Sequence, residues 1–157
     1  MSVDELLAGD YRPHTEFFLR PLDDSKVFTG RALRFSECEQ LFRDLEASPA
    51  MPEPLVLVVA EVQAIDAEWR LFMVDAKVVG GSMYRPSADR ALPGELIQFA
   101  ERAGQNWTPA PVFVMDVARV SRSWKIVECN CFNGSRFYDA DATAIVNAVS
   151  IFQAERW

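Results

Sequence analysis

The 157-residue sequence contains one histidine, His14, three cysteines and no long apolar run. A single histidine argues against a histidine-based catalytic triad or a histidine-ligated metal. The C-x-C pair at Cys129 and Cys131 has no second pair to complete a zinc site, so we expect reduced thiols that pack in the protein, and a cytoplasmic location. The absence of an apolar run of roughly 18 residues, and of a basic and apolar start, argues against a membrane span and a secretory signal.

Basic residues are also in deficit, with 16 Lys and Arg against 23 Asp and Glu and a formal charge of -7. This balance argues against general binding of nucleic acid or of an anionic membrane, because both need a basic surface. A small anionic ligand held with a divalent cation stays compatible with it. Half of the residues are hydrophobic and a quarter are charged, which is typical of a folded globular protein.

Hydrophobic periodicity and turn-forming residues predict strands that alternate with helices, which indicates an α+β protein. The run LVLVVAEV is apolar throughout, so it is expected to be covered on both faces. The first fifteen residues are expected to pack loosely. The predicted strands are 16–21, 31–35, 55–62, 68–75, 76–85, 109–120 and 125–132; the predicted helices are 37–47, begun by a Ser36–Glu39 capping box, 93–106, and a final helix capped by Asp139 or Asp141 with Ile145, Val146, Val149 and Phe152 on its inner face.

The hairpin FVMDVARVSRSWKIVECNCF carries the most informative polar residues. Glu128 and Asn130 alternate on one face of their strand, and hairpin pairing can bring Asp116 beside them. Two carboxylates and an amide oxygen suit Mg²⁺, which keeps its other positions for water and phosphate oxygens. The alternative is a solvated or hydrogen-bonded face of an amphipathic strand, and spacing alone does not choose between the two.

These motifs resemble the ATP-grasp ligases. FVMDVA and IVECN are similar to the family's hydrophobic-Asp-hydrophobic strand and its hydrophobic-Glu-x-Asn strand. EWRLFMVDAKVVGGSMYR, LVLVVAEV and FFLRPLDDSKVFTG resemble upstream segments in the family's order, so the resemblance covers about residues 16–152. It is strongest to bacterial and phage members and more distant to ribosomal-protein glutamate ligases. It implies two α+β subdomains, at 16–62 and 63–157 after a leader at 1–15, with antiparallel sheets and a nucleotide cleft between them.

The resemblance also implies roles for individual residues. Asp116, Glu128 and Asn130 would hold Mg²⁺, while Arg70 and, near the transferred phosphate, Arg85 would be catalytic. Arg20 stands where the family usually has a phosphate-binding lysine, and Lys26 lies in the loop expected to cover the phosphates. Adenine and ribose would be bound through Glu61 and Val62, with Glu68 as the other candidate for the ribose hydroxyls.

The implied activity is ATP- and Mg²⁺-dependent activation of a carboxylate as an acyl phosphate, followed by transfer to an amine or another nucleophile. ATP-grasp enzymes generally carry a further N-terminal domain, for which this sequence has no counterpart. We therefore expect a partner protein or a second copy to replace it. The alternatives are a module that binds nucleotide or a protein partner without turnover, and a structural or inhibitory protein with a relict fold.

Overall fold

The structure is a computed structural model that describes residues 1–23, 27–46, 54–86 and 89–156. The chain divides into two compact units, Met1–Gln63 and Ala64–Trp157. No helix in these described ranges is long and apolar enough to cross a membrane.

The first unit is a three-stranded antiparallel sheet with two helices. Its elements in chain order are α1 (Val3–Leu7), β1 (Glu16–Pro21), β2 (Arg31–Arg34), α2 (Phe35–Glu46) and β3 (Leu57–Glu61). The strand order is β2-β1-β3, so β1 is central. The buried core of the unit combines side chains from the sheet, both helices and the adjoining loops: Val3, Leu6, Leu19, Phe28, Cys38, Phe42, Leu55 and Leu57.

The start of the chain is better packed than its sequence predicts. Ser2 and Glu5 form a capping box that begins α1, and Val3 and Leu6 of this helix are buried in the core. The prediction of loose packing is therefore wrong for this segment. Such a short helix gives almost no periodic signal, because most helical stability comes from tertiary packing rather than from propensity.

Strand β3 and helix α2 also differ in detail from their predictions. Leu57 is buried and Val59 packs against the core, whereas Ala60 is exposed. The strand is thus buried on one face at alternate positions, because it is an edge strand and its valines report a preference for extended backbone rather than cover on both sides. Helix α2 begins at Phe35, one residue before the predicted Ser36 cap, and Glu37 accepts a hydrogen bond from the Arg34 backbone N–H instead.

The second unit is a four-stranded antiparallel sheet with two helices. Its elements are β4 (Ala67–Val74), β5 (Lys77–Arg85), α3 (Gly94–Asn106), β6 (Val112–Val120), β7 (Ser123–Cys131), a 3-10 turn (Phe132–Gly134) and α4 (Ala142–Ala154). The strand order is β5-β4-β6-β7. Both hairpins are tight: Asp75 and Ala76 connect β4 to β5 with positive φ angles of 47° and 59°, and Ser121 has φ 56° between β6 and β7.

The two faces of this sheet have different cover. One face packs on α3 through an apolar core that includes Trp69, Leu71, Leu96, Ala100 and Met115. On the other face α4 covers only an apolar end, where Phe72, Val114, Ala140 and Ile145 are buried together. Gly80 permits this contact, because a Cβ there would lie 2.6 Å from Ile145 Cγ1. The rest of this second face carries polar side chains.

Three predictions for this unit need correction or choice. Asp141, not Asp139, caps α4 through the Ala144 backbone N–H. Val146 is exposed rather than on the inner face of that helix. Cys129 is only partly buried and Cys131 is exposed, because β7 is at the edge of the sheet and its outer positions lack a neighbouring strand.

Candidate active site

The polar part of the sheet contains a row of paired residues that crosses three strands. Arg70 on β4 pairs with Asp116 on β6, and Asp116 pairs with Glu128 on β7. On the other side of Arg70, Ser82 of β5 is its register partner. Asn130 is two residues beyond Glu128 on the same strand and is paired with Val114. The register thus places four of the predicted site residues together, as neighbours in one sheet.

A two-point ion pair lies at the centre of this row. Arg70 Nε and Nη2 donate to Asp116 Oδ1 at 2.8 Å and Oδ2 at 2.6 Å. The Asp116 side chain is 2% exposed and that of Arg70 is 12% exposed. This geometry gives Arg70 two parallel, charge-assisted hydrogen bonds. The donor edge formed by Nε and Nη2 is therefore occupied by Asp116, and the third guanidinium nitrogen, Nη1, has no hydrogen bond within the described residues.

The second carboxylate is more accessible. Glu128 is 55% exposed, and its Oε1 lies 4.0 Å from Arg70 Nη2. Asn130 Nδ2 donates to the same Oε1 at 2.8 Å. Glu128 therefore has an orienting partner and an open side, whereas Asp116 is enclosed.

The electrostatics of the row follow from this difference in burial. Burial raises the pKa of Asp116; the hydrogen bonds and charge of Arg70 oppose that shift, and Glu128 adds to it. The hydrogen bonds to Asp116 are also the main reason why the pKa of Arg70 is raised. Two carboxylates and one guanidinium thus share the site, so a further cation beside Glu128 would be electrostatically favourable.

Two tyrosines border Arg70 that the sequence reasoning did not select. Tyr84 of β5 and Tyr138 of the loop before α4 are stacked, with ring centroids 5.0 Å apart and planes 9° apart. Arg70 Cζ is 5.8 Å from the centroid of Tyr84 and 5.2 Å from that of Tyr138. Strand alternation gives a signal for Tyr84, two residues after Ser82, but Tyr138 lies in a loop where the sequence offers none.

A second ion pair lies beside a cavity at the start of β4. Arg85 Nη1 is 3.2 Å from Oε2 of Glu68, a residue that is buried. The cavity has a volume of about 380 Å³ and is lined by 65–68 and by Arg85 and Pro86. Glu68 Oε2 and Ser82 Oγ are buried with no aligned hydrogen-bond partner in the described part of the chain. Such orphaned polar atoms mark a place where a polar ligand would satisfy the protein.

The remaining predicted residues belong to the first unit. Arg20, at the end of β1, donates to the Pro21 carbonyl at 3.0 Å. Glu61 ends β3 and is exposed, as is Val62. Lys26 lies outside the described residues.

The donor set on the β6–β7 hairpin fits magnesium by its chemistry. The described residues contain no cluster of three His, Cys, Asp or Glu side chains, so a site for zinc or for a fully protein-coordinated metal is not indicated. Asp116, Glu128 and Asn130 instead provide two carboxylates and an amide, which suits a cation that keeps water and phosphate oxygens as its other ligands.

The sequence model of an ATP-grasp domain family, the third family of its clade, matches residues 3–149. The chain therefore belongs to the ATP-grasp family. The resemblance read from the hairpin motifs is confirmed, and so is the α+β ATP-grasp fold. A comparison with curated proteins finds no significant match.

Solved structures show the same fold. A RimK domain ATP-grasp protein from Sphaerobacter thermophilus DSM 20745 is 13% identical, with a TM-score of 0.65 over 96% of this chain and 55% of that one. The ATP-grasp ligase PsnB, solved with the precursor peptide PsnA2 and AMPPNP, is 13% identical, with a TM-score of 0.60 over 90% of this chain and 46% of its own. The D-cycloserine synthetase DcsG is 14% identical, with a TM-score of 0.52 over 97% of this chain and 59% of its own. This chain thus spans about half the length of these proteins.

Proposed function

We propose that this chain is an ATP- and Mg²⁺-dependent ligase module that activates a carboxylate and joins it to an amine or another nucleophile. The observation that carries the proposal is the row formed by Arg70, Asp116 and Glu128, with Asn130 beside it. Membership of the ATP-grasp family supports ATP as the ligand. PsnB has been solved with Mg and ADP, which supports the same metal here.

Each residue of the row has a chemical role in this proposal. Glu128 and Asp116 would hold Mg²⁺ with Asn130, and the ion would neutralise charge on the phosphate oxygens. Arg70 keeps the enclosed Asp116 ionised and oriented, and its Nη1 would bind an oxygen of the transferred phosphate. Asn130 fixes the direction of Glu128. All of these groups are in place before the substrate binds, which reduces the cost of reorganisation.

The reaction would have two steps. An oxygen of the substrate carboxylate attacks the γ-phosphorus of ATP, the bond to the β–γ bridging oxygen breaks, and ADP leaves with an acyl phosphate formed. The acceptor nitrogen then attacks the acyl carbon and inorganic phosphate leaves. Arg70 and Arg85 would counter the negative charge on the phosphate in both steps.

The rest of the nucleotide would be bound by residues of both units. Arg20 and Lys26 would contact the phosphates, and Glu61 and Val62 the adenosine. Glu68 stays an alternative for the ribose hydroxyls, supported by its orphaned Oε2 beside the cavity. Separate Glu61→Gln and Glu68→Gln variants would identify the ribose ligand by a selective loss of affinity for ATP over inorganic triphosphate.

The substrate class and the assembly belong to the same proposal. PsnB has been solved with a precursor peptide, which supports a peptide or small-molecule carboxylate as substrate. The structures it resembles are about twice as long, so we propose that a partner protein or a second copy completes the acceptor site. Use of ATP and the reduced cysteines are consistent with the cytoplasm.

The test is ADP release from ATP and Mg²⁺ in the presence of mixtures of amino acids and short peptides. A ligase releases ADP only when a suitable mixture is present, and loses that release in Glu128→Ala but not in Glu39→Ala. Glu39 is a matched control because it is an exposed glutamate that pairs only with Arg43 on helix α2.

The second candidate is a module that binds nucleotide without turnover. It is favoured by the same difference in length between this chain and the ligases. ATP binding with no ADP release in any mixture would support this function and reject the ligase. A relict structural protein would be indicated by absence of ATP binding.

A further inference from the structure

The loop before α4 places two consecutive aromatic rings on two different strands. Phe137 is stacked on Phe72 of β4, with centroids 5.0 Å apart and planes 12° apart. Tyr138 is stacked on Tyr84 of β5 at the same centroid distance. Neighbouring residues rarely present their side chains to the same surface. Here Tyr138 has a positive φ of 50°, an unusual conformation for a bulky residue that must be held by the contacts of its ring.

The Phe137 ring is accounted for by packing, because it belongs to the apolar cluster that α4 covers. Tyr138 is not in that cluster, and its side of the stack faces the active-site row. Arg70 Cζ lies 5.2 Å from its ring centroid and 5.8 Å from that of Tyr84. The guanidinium and the two rings therefore form a nearly equilateral triangle.

Two kinds of contact thus restrain the Arg70 guanidinium. The bidentate pair with Asp116 fixes the Nε–Nη2 edge, but it leaves the group free to tilt about that edge. A cation beside two aromatic rings within about 6 Å is attracted to them. The stacked tyrosines oppose this tilt, since they lie on a different side of the guanidinium from a carboxylate in the sheet.

We propose that Tyr138 is a positioning residue: with Tyr84 it fixes the tilt of the Arg70 guanidinium, and so determines the direction in which Nη1 faces. The ring provides this function and the phenolic hydroxyl does not, because Arg70 contacts the aromatic system. In the free protein the proposal concerns only the order of Arg70. Its consequence for phosphate binding rests on the proposed function.

The primary test is NMR of the ¹⁵N-labelled full chain, which at 17.7 kDa is well within range. The Arg70 Nε–Hε cross-peak is identified by its loss in Arg70→Lys. The wild-type protein should show a nuclear Overhauser contact between the Tyr138 ring protons and the Arg70 side chain. Tyr138→Leu, which keeps an apolar side chain but removes the ring, should shift and broaden the Arg70 peak, while Tyr138→Phe should restore it.

The matched control is Phe152→Leu. Phe152 also has an arginine over its ring, with Arg156 Cζ at 4.4 Å, but it is on α4 and does not contact Arg70. Its replacement should leave the Arg70 peak unchanged. A wild-type Arg70 peak in Tyr138→Leu would overturn the proposal, and so would a Phe variant that behaves like the Leu variant. If Tyr138→Leu does not fold, absence of the wild-type Overhauser contact has the same force and its presence supports the proposal.

A second readout separates this proposal from the proposed function. Calorimetry with ATP and Mg²⁺ should show affinity reduced about threefold to tenfold in Tyr138→Leu, the scale of a lost cation–aromatic contact, and restored in Tyr138→Phe. Absence of ATP binding to the wild-type chain would reject the proposed function, while the Arg70 peak would still decide the role of Tyr138. ATP affinity in Tyr138→Leu equal to wild type would overturn the link between Arg70 order and phosphate binding.

Discussion

Removal of the Arg70 side chain should expose how strongly the enclosed carboxylate depends on its partner. In Arg70→Met, Asp116 remains 2% exposed with its two hydrogen bonds lost, and the remaining nearby charge is the carboxylate of Glu128. Loss of one partner of a buried ion pair typically costs about 3–5 kcal/mol. The double variant Arg70→Met/Asp116→Leu removes both charges, so we expect it to recover most of that loss.

Urea unfolding followed by tryptophan fluorescence measures this effect in the relevant unit. All four tryptophans follow residue 63 in the sequence, so their signal reports the second unit. The matched control is Arg43→Met, which breaks an ion pair whose side chains are 60% and 61% exposed and should cost no more than about 1 kcal/mol. A loss in Arg70→Met no larger than in this control would refute the reasoning.

The same variant has a predicted pH dependence. Burial raises the pKa of Asp116 above its ordinary value of 3.8, and loss of Arg70 removes the opposing effect. A carboxyl with a raised folded-state pKa destabilises the protein when it is ionised, so its cost is small below pH 3.8 and complete above the folded-state pKa. The stability deficit of Arg70→Met relative to wild type should therefore shrink as the pH is lowered toward 4. A deficit that grows over this range would contradict the assignment to Asp116.

Three further predictions concern packing, each measured as the free energy of unfolding in urea. Gly80→Ala should destabilise the second unit by about 1–3 kcal/mol, because its Cβ would clash with Ile145; Gly80→Ala/Ile145→Val should recover part of the loss, and no recovery would place the strain elsewhere. Leu6→Ala should cost about 2–5 kcal/mol in the first unit, followed by circular dichroism, and a loss within error would mean that α1 is not part of its core. Ala76→Gly should stabilise the β4–β5 turn or be neutral, since φ is 59° and glycine accepts this conformation freely; a marked loss would contradict the turn geometry.

The hairpin containing the metal-binding candidates was predictable because its information is local. Alternation along β7 places Glu128 and Asn130 on one face, and a short turn near Ser121 brings Asp116 opposite Glu128. The pairing of Asp116 with Arg70 was not predictable in this way. It depends on β4 pairing with β6 across 46 residues, which no local periodicity encodes. The resemblance to the family grouped these residues, but it did not indicate that the two-donor edge of Arg70 is already occupied.

The failures have the same origin in tertiary contacts. The buried Leu6 and the stacked Tyr138 lie in a short helix and a loop whose sequences carry weak signals. The exposed Val146 satisfies the helical pattern of α4, but the sheet ends before it can offer cover. For Cys131, strand alternation gave the face correctly, whereas its position on an edge strand determined its exposure.

The central claim is that Glu128 and Asp116 bind a nucleotide through Mg²⁺, and calorimetric titration of ATP into the full chain tests it most directly. We predict binding that requires Mg²⁺, is lost in Glu128→Ala and is retained in Glu39→Ala. Binding of equal affinity in Glu128→Ala, or binding unaffected by removal of Mg²⁺ with a chelator, would contradict the account.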